Sequence, residues 1–418
     1  MSSNSGRTGE TGEDAASRAV DERRSLHEEV ERLRAEVAQT LQEIATLRSR
    51  QRDVMKDTAV ALSTLTEIRT SNSWRLLEAY RRLRLRLQLL MMRGRLSGRR
   101  GAQRQARRPM PAAVRRAPLG VNVAGYISTE SGMGEAVRAS IRSLEAAGIP
   151  FVLNNVESFL RQHDRTYVDF TPDNPHPFNL VHLNADNMAE FCRRKGRRYF
   201  RDRYTIGYWF WELSTFREEW LPAFQYVDEV WVASEFSREC LSRFSSLPIL
   251  CMPLPVVLPG PSPLGRHDFG LPDAAVVFLF TFDVSSQMER KNPLAVIRAF
   301  RRAAFAFDEA VLVLKFTNPE YDRAAVRRLR EEATGLNVRM LDGYLSRRDL
   351  VALLRAADCY VALHRSEGFG LSMAEAMILG KPVIATAYSG NLDFMTAENS
   401  YLVDHRPVRL TRDYGPYP

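Results

Sequence analysis

The sequence predicts an α/β protein made of two doubly wound parallel sheets in series, preceded by an α-helical coiled coil. Three features predict this. From Gly120 onward, short apolar strand-like runs alternate with helix-like segments, the pattern of parallel sheets covered by helices on both faces. The stretch Pro253 to Pro263 holds five prolines and little helical character, so it reads as a hinge between the two sets of strands. Residues 20–72 carry a heptad repeat uninterrupted by Pro or Gly through Thr70.

The 418 residues are 45% apolar, enough for globular cores, and divide by composition into five parts. Residues 1–19, rich in Ser, Gly, Thr and Glu, bury too little apolar surface to fold and are expected to be disordered. In residues 20–72, Val30, Val37, Ile44 and Leu65 fall at a, and Leu26, Leu33, Leu47, Val54 and Ile68 at d. Thr40, Gln51, Thr58 and Ala61 weaken the seam, and the expectation is a coiled-coil homodimer rather than a lone amphipathic helix. Residues 73–117 form a basic arm: Arg81 to Arg116 holds thirteen arginines and no acid, within a chain whose net charge is +9. Leu83, Leu85, Leu87, Leu89, Leu90, Met91 and Met92 are interleaved with its first arginines, which favours an anionic membrane surface over nucleic acid, with a solvated linker as the alternative. Residues 118–257 and 258–418 are the two sheet domains.

Four scattered cysteines, Cys192, Cys240, Cys251 and Cys359, fit neither a disulfide framework nor a zinc site. The N-terminus lacks an apolar signal region and Leu87 to Met92 is too short to span a bilayer, so the expected place is the cytoplasm, peripheral on a membrane face.

The first domain opens on a strand, Gly120 to Tyr126, and a loop, Ile127 to Met133, leading into a helix beginning near Gly134 and Glu135. Further strands are expected at Asn179 to Leu183, Thr205 to Phe210 and Glu229 to Ala233. Ligands gather at the carboxyl ends of parallel strands. His182 and Asn184 lie at one such end, Trp211 and Glu212 at another, and these four are the acceptor-side candidates.

The second domain is expected to run through strands at Val276 to Phe282, Val311 to Phe316, Val338 to Leu341, Cys359 to Leu363, Pro382 to Ala387 and Tyr401 to Asp404. Arg290 and Lys291 stand where a helix through Phe300 begins. Cations are disfavoured at a helix N-terminus, so their presence suggests an anion between them and the helix.

After Cys359 to Leu363 comes a glycine loop and a helix, with Gly368 and Gly370 bracketing Phe369. Small residues there let a ligand approach the N–H groups of a new helix, a phosphate-sized anion site through Leu371 and Ser372. Two carboxylates eight positions apart, Glu367 and Glu375, can face one ligand from different sides, and carboxylates grip hydroxyls. A sugar nucleotide offers a diphosphate together with ribose and hexose hydroxyls. The alternative for Glu375 is a capping box with Ser372, in S-x-x-E.

E-G-F-G-L-x-x-x-E-A-M followed by G-K-P-V-I-A-T, from Glu367 to Thr386, resembles the signature of the family 4 retaining glycosyltransferases, which have the two-domain GT-B fold. Ser71-Asn-Ser-Trp74-Arg75 resembles a junction in bacterial surface-polysaccharide transferases. The resemblance implies transfer of a hexose from a nucleotide-diphosphate sugar to a growing polysaccharide or lipid-linked glycan, with retention, and Lys291 and Glu367 as catalytic residues. It places Gly132, Gly134, Arg290, Lys291, Gly368, Phe369, Gly370, Leu371, Ser372 and Glu375 around the donor. The family's Arg, six residues before its Lys, falls here on Ser285, so neighbouring Arg290 is the substitute. A usual His after the third strand is replaced by the Trp209-Phe-Trp-Glu212 run. Asp393 stands where the family has a Glu, and the C-terminal helices of GT-B enzymes are expected to be missing. No two aspartates are separated by one residue, so neither a D-x-D metal site nor any other cofactor is expected. A sugar-nucleotide epimerase on the same scaffold, and a non-catalytic scaffold with a degenerate transferase domain, are the alternatives.

Overall fold

The computed structural model describes residues 117–408 apart from 159–163, 304 and 306–308, together with 29, 32, 42, 110, 111, 114, 115 and 417. The expected disordered terminus, coiled coil and basic arm therefore lie outside the described residues except at a few positions, of which Glu29, Arg32, Gln42, Val114 and Arg115 are helical. The described residues from 110 onward fall in one compact unit.

That unit contains two six-stranded sheets, parallel throughout. In chain order the first comprises β1 (Val121–Gly125), α1 (Gly132–Ala146), β2 (Phe151–Asn155), β3 (Phe178–His182), α2 (Ala185–Lys195), α3 (Arg197–Phe200), β4 (Tyr204–Trp209), β5 (Glu229–Val232), α4 (Glu235–Ser242) and β6 (Ile249–Cys251). The second comprises β7 (Val276–Asp283), α5 (Met288–Lys291), α6 (Pro293–Ala303), β8 (Ala310–Thr317), α7 (Arg323–Glu332), β9 (Val338–Leu341), α8 (Arg347–Ala356), β10 (Cys359–Ala362), α9 (Leu371–Ile378), β11 (Val383–Thr386) and β12 (Tyr401–Val403). The proline-rich stretch after β6 holds neither helix nor strand through Gly265, as its composition requires.

Strands covered on both faces read as continuous apolar runs, and β8 shows why. Val311, Leu312, Val313, Leu314 and Phe316 are all buried, each contributing about 1.5–3 kcal/mol of apolar burial. β2 and the three-residue β6 escaped the sequence reading. β6 lies at the sheet edge, and its apolar run, Ile249 to Met252, is short and closed by Pro248 and Pro253.

Strand order in the first sheet is β2-β1-β3-β4-β5-β6 and in the second β12-β11-β10-β7-β8-β9. The order reverses between β1 and β3, and again between β10 and β7. Connections leave these adjacent strands in opposite directions and open a crevice at their carboxyl ends. The loops after β1, β7 and β10 are the three that carry glycines or cations.

Two helix starts differ from expectation. α1 begins at Gly132 because Ser131 is its cap, the hydroxyl accepting from Gly134 N at 3.1 Å. Arg290 and Lys291 do not open the helix through Phe300. They end the one-turn α5, and Asn292, left-handed at φ 56°, separates them from α6.

Candidate active site

Because β7 and β10 are neighbours, Arg290 and Lys291 after one strand meet Glu367 after the other. Lys291 Nζ donates to Glu367 Oε1 at 2.6 Å, and Arg290 Nη1 lies 3.1 Å from Oε2. The anion suggested by those two cations is thus Glu367 itself. Burial alone would raise the Glu367 carboxyl, but Lys291 and Arg290 outweigh it and hold the group down at about 2. Burial lowers Lys291, and Glu367 opposes that shift. Arg290 also donates to Ser366 O at 3.0 Å and reaches Glu212, from the first sheet, at 3.8 Å.

The capping-box alternative for Glu375 does not hold. The cap of α9 is Gly370, at φ 96°, a conformation that favours glycine, and it supplies no side-chain hydrogen bond to the first turn. Ser372 sits inside the helix and bonds Tyr360 instead. Glu375, 1% exposed, is paired with Arg347 from the start of α8. Burial raises its carboxyl and Arg347 only partly offsets that.

Arg347 is absent from the sequence reading, and so is the network around it. Its guanidinium lies 3.7 Å from Glu135 of α1, which also binds Arg142 at 2.7 Å and Arg138 at 3.2 Å. One arginine therefore joins the first-turn acid Glu135 of the first sheet's α1 to Glu375 of the second sheet's α9. The partners lie far apart in sequence, and no local spacing signals them.

The two sheets also touch through Ser234 and Asp393, by contacts that no local spacing signals. Ser234 Oγ donates to Gly368 O at 2.7 Å, and Gly390 is held so close that a Cβ there would stand 2.3 Å from the same carbonyl. Asp393 accepts from Glu235 N, at the start of α4, at 2.8 Å. Ser389 Oγ accepts from Glu367 N at 2.8 Å and fixes the catalytic candidate's backbone.

Several candidates have structural surroundings. Phe369 is buried between the sheets, packed on Phe394 at 5.2 Å and clustered with Leu254 and Tyr208. Leu371 borders that cluster. Gly134 has no room for a side chain, since a Cβ would meet Thr129 O at 2.0 Å, whereas Gly132 is exposed and open. His182 is not at the cleft surface. It is wholly buried, stacked on Tyr208 at 4.6 Å with neither ring nitrogen partnered, and burial lowers it to about 3. Asn184 Oδ1 accepts from Phe210 N at 2.8 Å and ties the ends of β3 and β4 together. Trp211 is buried against Phe216 and Trp220, its indole N–H donating to Thr215 O. Of the acceptor-side four, Glu212 alone joins the charged cluster. Among the described residues, no cluster of three or more His, Cys, Asp or Glu side chains is arranged for a metal ion, and no helix is long and apolar enough to cross a membrane.

Two parallel sheets, facing at their switch points across a charged crevice, define the GT-B class of fold. Residues 279–408 match the family model of glycosyl transferases group 1. Over 84 residues the chain is 36% identical to the GDP-mannose-dependent alpha-(1-6)-phosphatidylinositol dimannoside mannosyltransferase of Mycobacterium tuberculosis. That match covers 20% of this chain and 22% of the relative, so the chain spans about a fifth of the length of the curated relatives it matches. Among solved structures, sucrose-phosphate synthase from Thermosynechococcus elongatus aligns over 69% of this chain and 86% of its own, with TM-score 0.52 and 17% identity. Anabaena HepE in complex with UDP and glucose aligns over the same shares with TM-score 0.49 and 14% identity. At such identities the structural likeness bears on the fold alone.

Proposed function

We propose that this chain is a retaining glycosyltransferase that moves a hexose from a nucleotide-diphosphate sugar to a growing surface polysaccharide or lipid-linked glycan, without a metal ion. The observation that carries the reading is the ionised Glu367, held between Lys291 and Arg290 at the switch point of the second sheet.

In this reading the diphosphate lies against the first-turn N–H groups of α9 and takes over Lys291 and Arg290. Glu367, released from them, grips the hexose hydroxyls. Ribose hydroxyls exchange with Arg347 for the Glu375 carboxylate. Fixed cations and amide dipoles stabilise the leaving diphosphate as its bond to the anomeric carbon breaks. The acceptor hydroxyl attacks from the face the phosphate leaves, and a phosphate oxygen takes its proton. No protein nucleophile is required. Residues 81–116 would hold the enzyme to an anionic membrane on the cytoplasmic side, and residues 20–72 would pair two copies.

The test is a thermal-shift screen of the purified chain against UDP-, GDP- and dTDP-hexoses, with nucleoside diphosphate release followed in parallel. A donor at a hundred times its Kd should stabilise by about 2.7 kcal/mol and be consumed. Silence toward every donor in both measurements contradicts the proposal.

A further inference from the structure

One described residue inside the charged cluster has no role in the donor chemistry. Tyr417 is buried, and its hydroxyl donates to Glu212 Oε2 at 2.9 Å. Its ring packs on Trp211 at 5.7 Å, and the Arg290 guanidinium stands 5.8 Å from the ring centroid. Arg290 in turn holds Glu367. A phenol is thus lodged among the residues that would surround the transferred hexose, its hydroxyl on a carboxylate and its ring face on an indole.

These are the requirements of an acceptor. The hydroxyl must reach the anomeric carbon, have a base for its proton, and be shielded from water. The carboxylate on Tyr417 belongs to Glu212, the acceptor-side candidate that lies in the cluster, and the Arg290 cation beside the ring would draw the departing phosphate to the same spot. Burial, then the charge of Glu212, raises the phenol, so it stays protonated until that carboxylate takes its proton.

Resting on the glycosyltransferase reading above, we propose that Tyr417 is an acceptor for the chain's own transfer reaction, a self-glycosylation site. The bond between the anomeric carbon and the donor's phosphate oxygen breaks, and a bond from that carbon to the Tyr417 phenolic oxygen forms. The phenolic proton passes to Glu212, on which the hydroxyl already sits and which here takes the part a phosphate oxygen plays for a glycan acceptor, and the electron pair of the broken bond leaves with the nucleoside diphosphate. The product is an aryl hexoside on the protein and one free nucleoside diphosphate.

The test is intact-mass measurement of the full chain, as purified and after incubation with UDP-glucose, GDP-mannose or dTDP-glucose, with peptide fragmentation and a parallel count of nucleoside diphosphate released. The expected result is a gain of one hexose located on Tyr417, matched by one equivalent of nucleoside diphosphate and lost entirely in Tyr417→Phe. Donor turnover with no hexose on Tyr417 overturns the proposal and leaves glycosyl transfer standing. Faster turnover in Tyr417→Phe, with an unmodified wild-type chain, would make the tyrosine only a competing occupant and also overturn it. Absence of both turnover and donor binding would overturn the transferase reading and this proposal with it.

Discussion

The two glycine loops hold equivalent places, each following a switch-point strand in its own sheet, yet they are finished differently. The loop after β1 is closed by its own residues. Ser131 caps α1, Gly134 is pressed on Thr129 O, and the first-turn acid Glu135 is taken by Arg138 and Arg142. The loop after β10 is left open by comparison. Gly370 caps α9 with no side chain, and the two glutamates near it are paired with Arg290, Lys291 and Arg347. The glycines therefore do different work: Gly134 packs on backbone in the first loop, and Gly370 takes the left-handed conformation that opens α9 in the second. A helix start offers an anion site where its amides lack a competing cap.

Gly134 and Gly132 give the sharpest break of that comparison. An added methyl at 134 would meet backbone 2.0 Å away, and should cost about 3 kcal/mol. At 132 nothing lies within 4 Å, so Ala there should stabilise α1 by about 0.5–1 kcal/mol through helix propensity. Urea midpoints of the two variants should move in opposite directions, and equal shifts would remove the packing role assigned to Gly134.

His182, beneath the first loop, sharpens the contrast between a buried titratable group and an employed one. Its folded pKa is depressed from 6.5 to about 3, so the unfolded chain binds the extra proton between those values. Its contribution to stability is complete above about pH 6.5 and is lost as pH falls toward 3, by up to about 1.4 kcal/mol per pH unit. In His182→Leu that part of the acid sensitivity should vanish. Identical pH slopes for variant and wild type in urea unfolding would contradict the placement of His182 in the core.

Smallest is the cap itself. Ser131→Ala should cost about 1 kcal/mol, because Gly134 N loses its acceptor. Removing the hydroxyl at Ser372 should leave the start of α9 intact, since Gly370 and not Ser372 is its cap. Helix protection by amide hydrogen exchange distinguishes the two.

Much of this architecture was legible because it is local. β7, β8 and β10 are apolar runs, and the β10 loop announces itself through Gly368 and Gly370. Lys291 and Glu367 were readable as partners of one ligand, though not as partners of each other, since β10 beside β7 is a fact of strand order. What stayed hidden is what the fold assembles from distant segments. Arg347 binding both Glu135 and Glu375, Ser389 holding the Glu367 backbone, and Tyr417 on Glu212 each join residues whose neighbours in sequence carry no shared pattern. His182 and Phe369 are more buried than their places in the sequence suggest, for a related reason. A strand end and a loop tip are exposed in most sheets, but here Tyr208 and the facing sheet cover them.

The central claim is that the two glutamates of the open loop hold different parts of one donor. Calorimetric titration of wild type, Glu375→Gln and Glu367→Gln with nucleoside diphosphate and with sugar nucleotide tests it most directly. Glu375→Gln should weaken both ligands alike, by about 1.5–3 kcal/mol for the loss of a charge-assisted hydrogen bond. Glu367→Gln should leave nucleoside diphosphate binding nearly unchanged while lowering kcat, because contacts to the hexose strengthen as it gains positive charge in the transition state. Wild-type affinity for nucleoside diphosphate in Glu375→Gln would contradict the account.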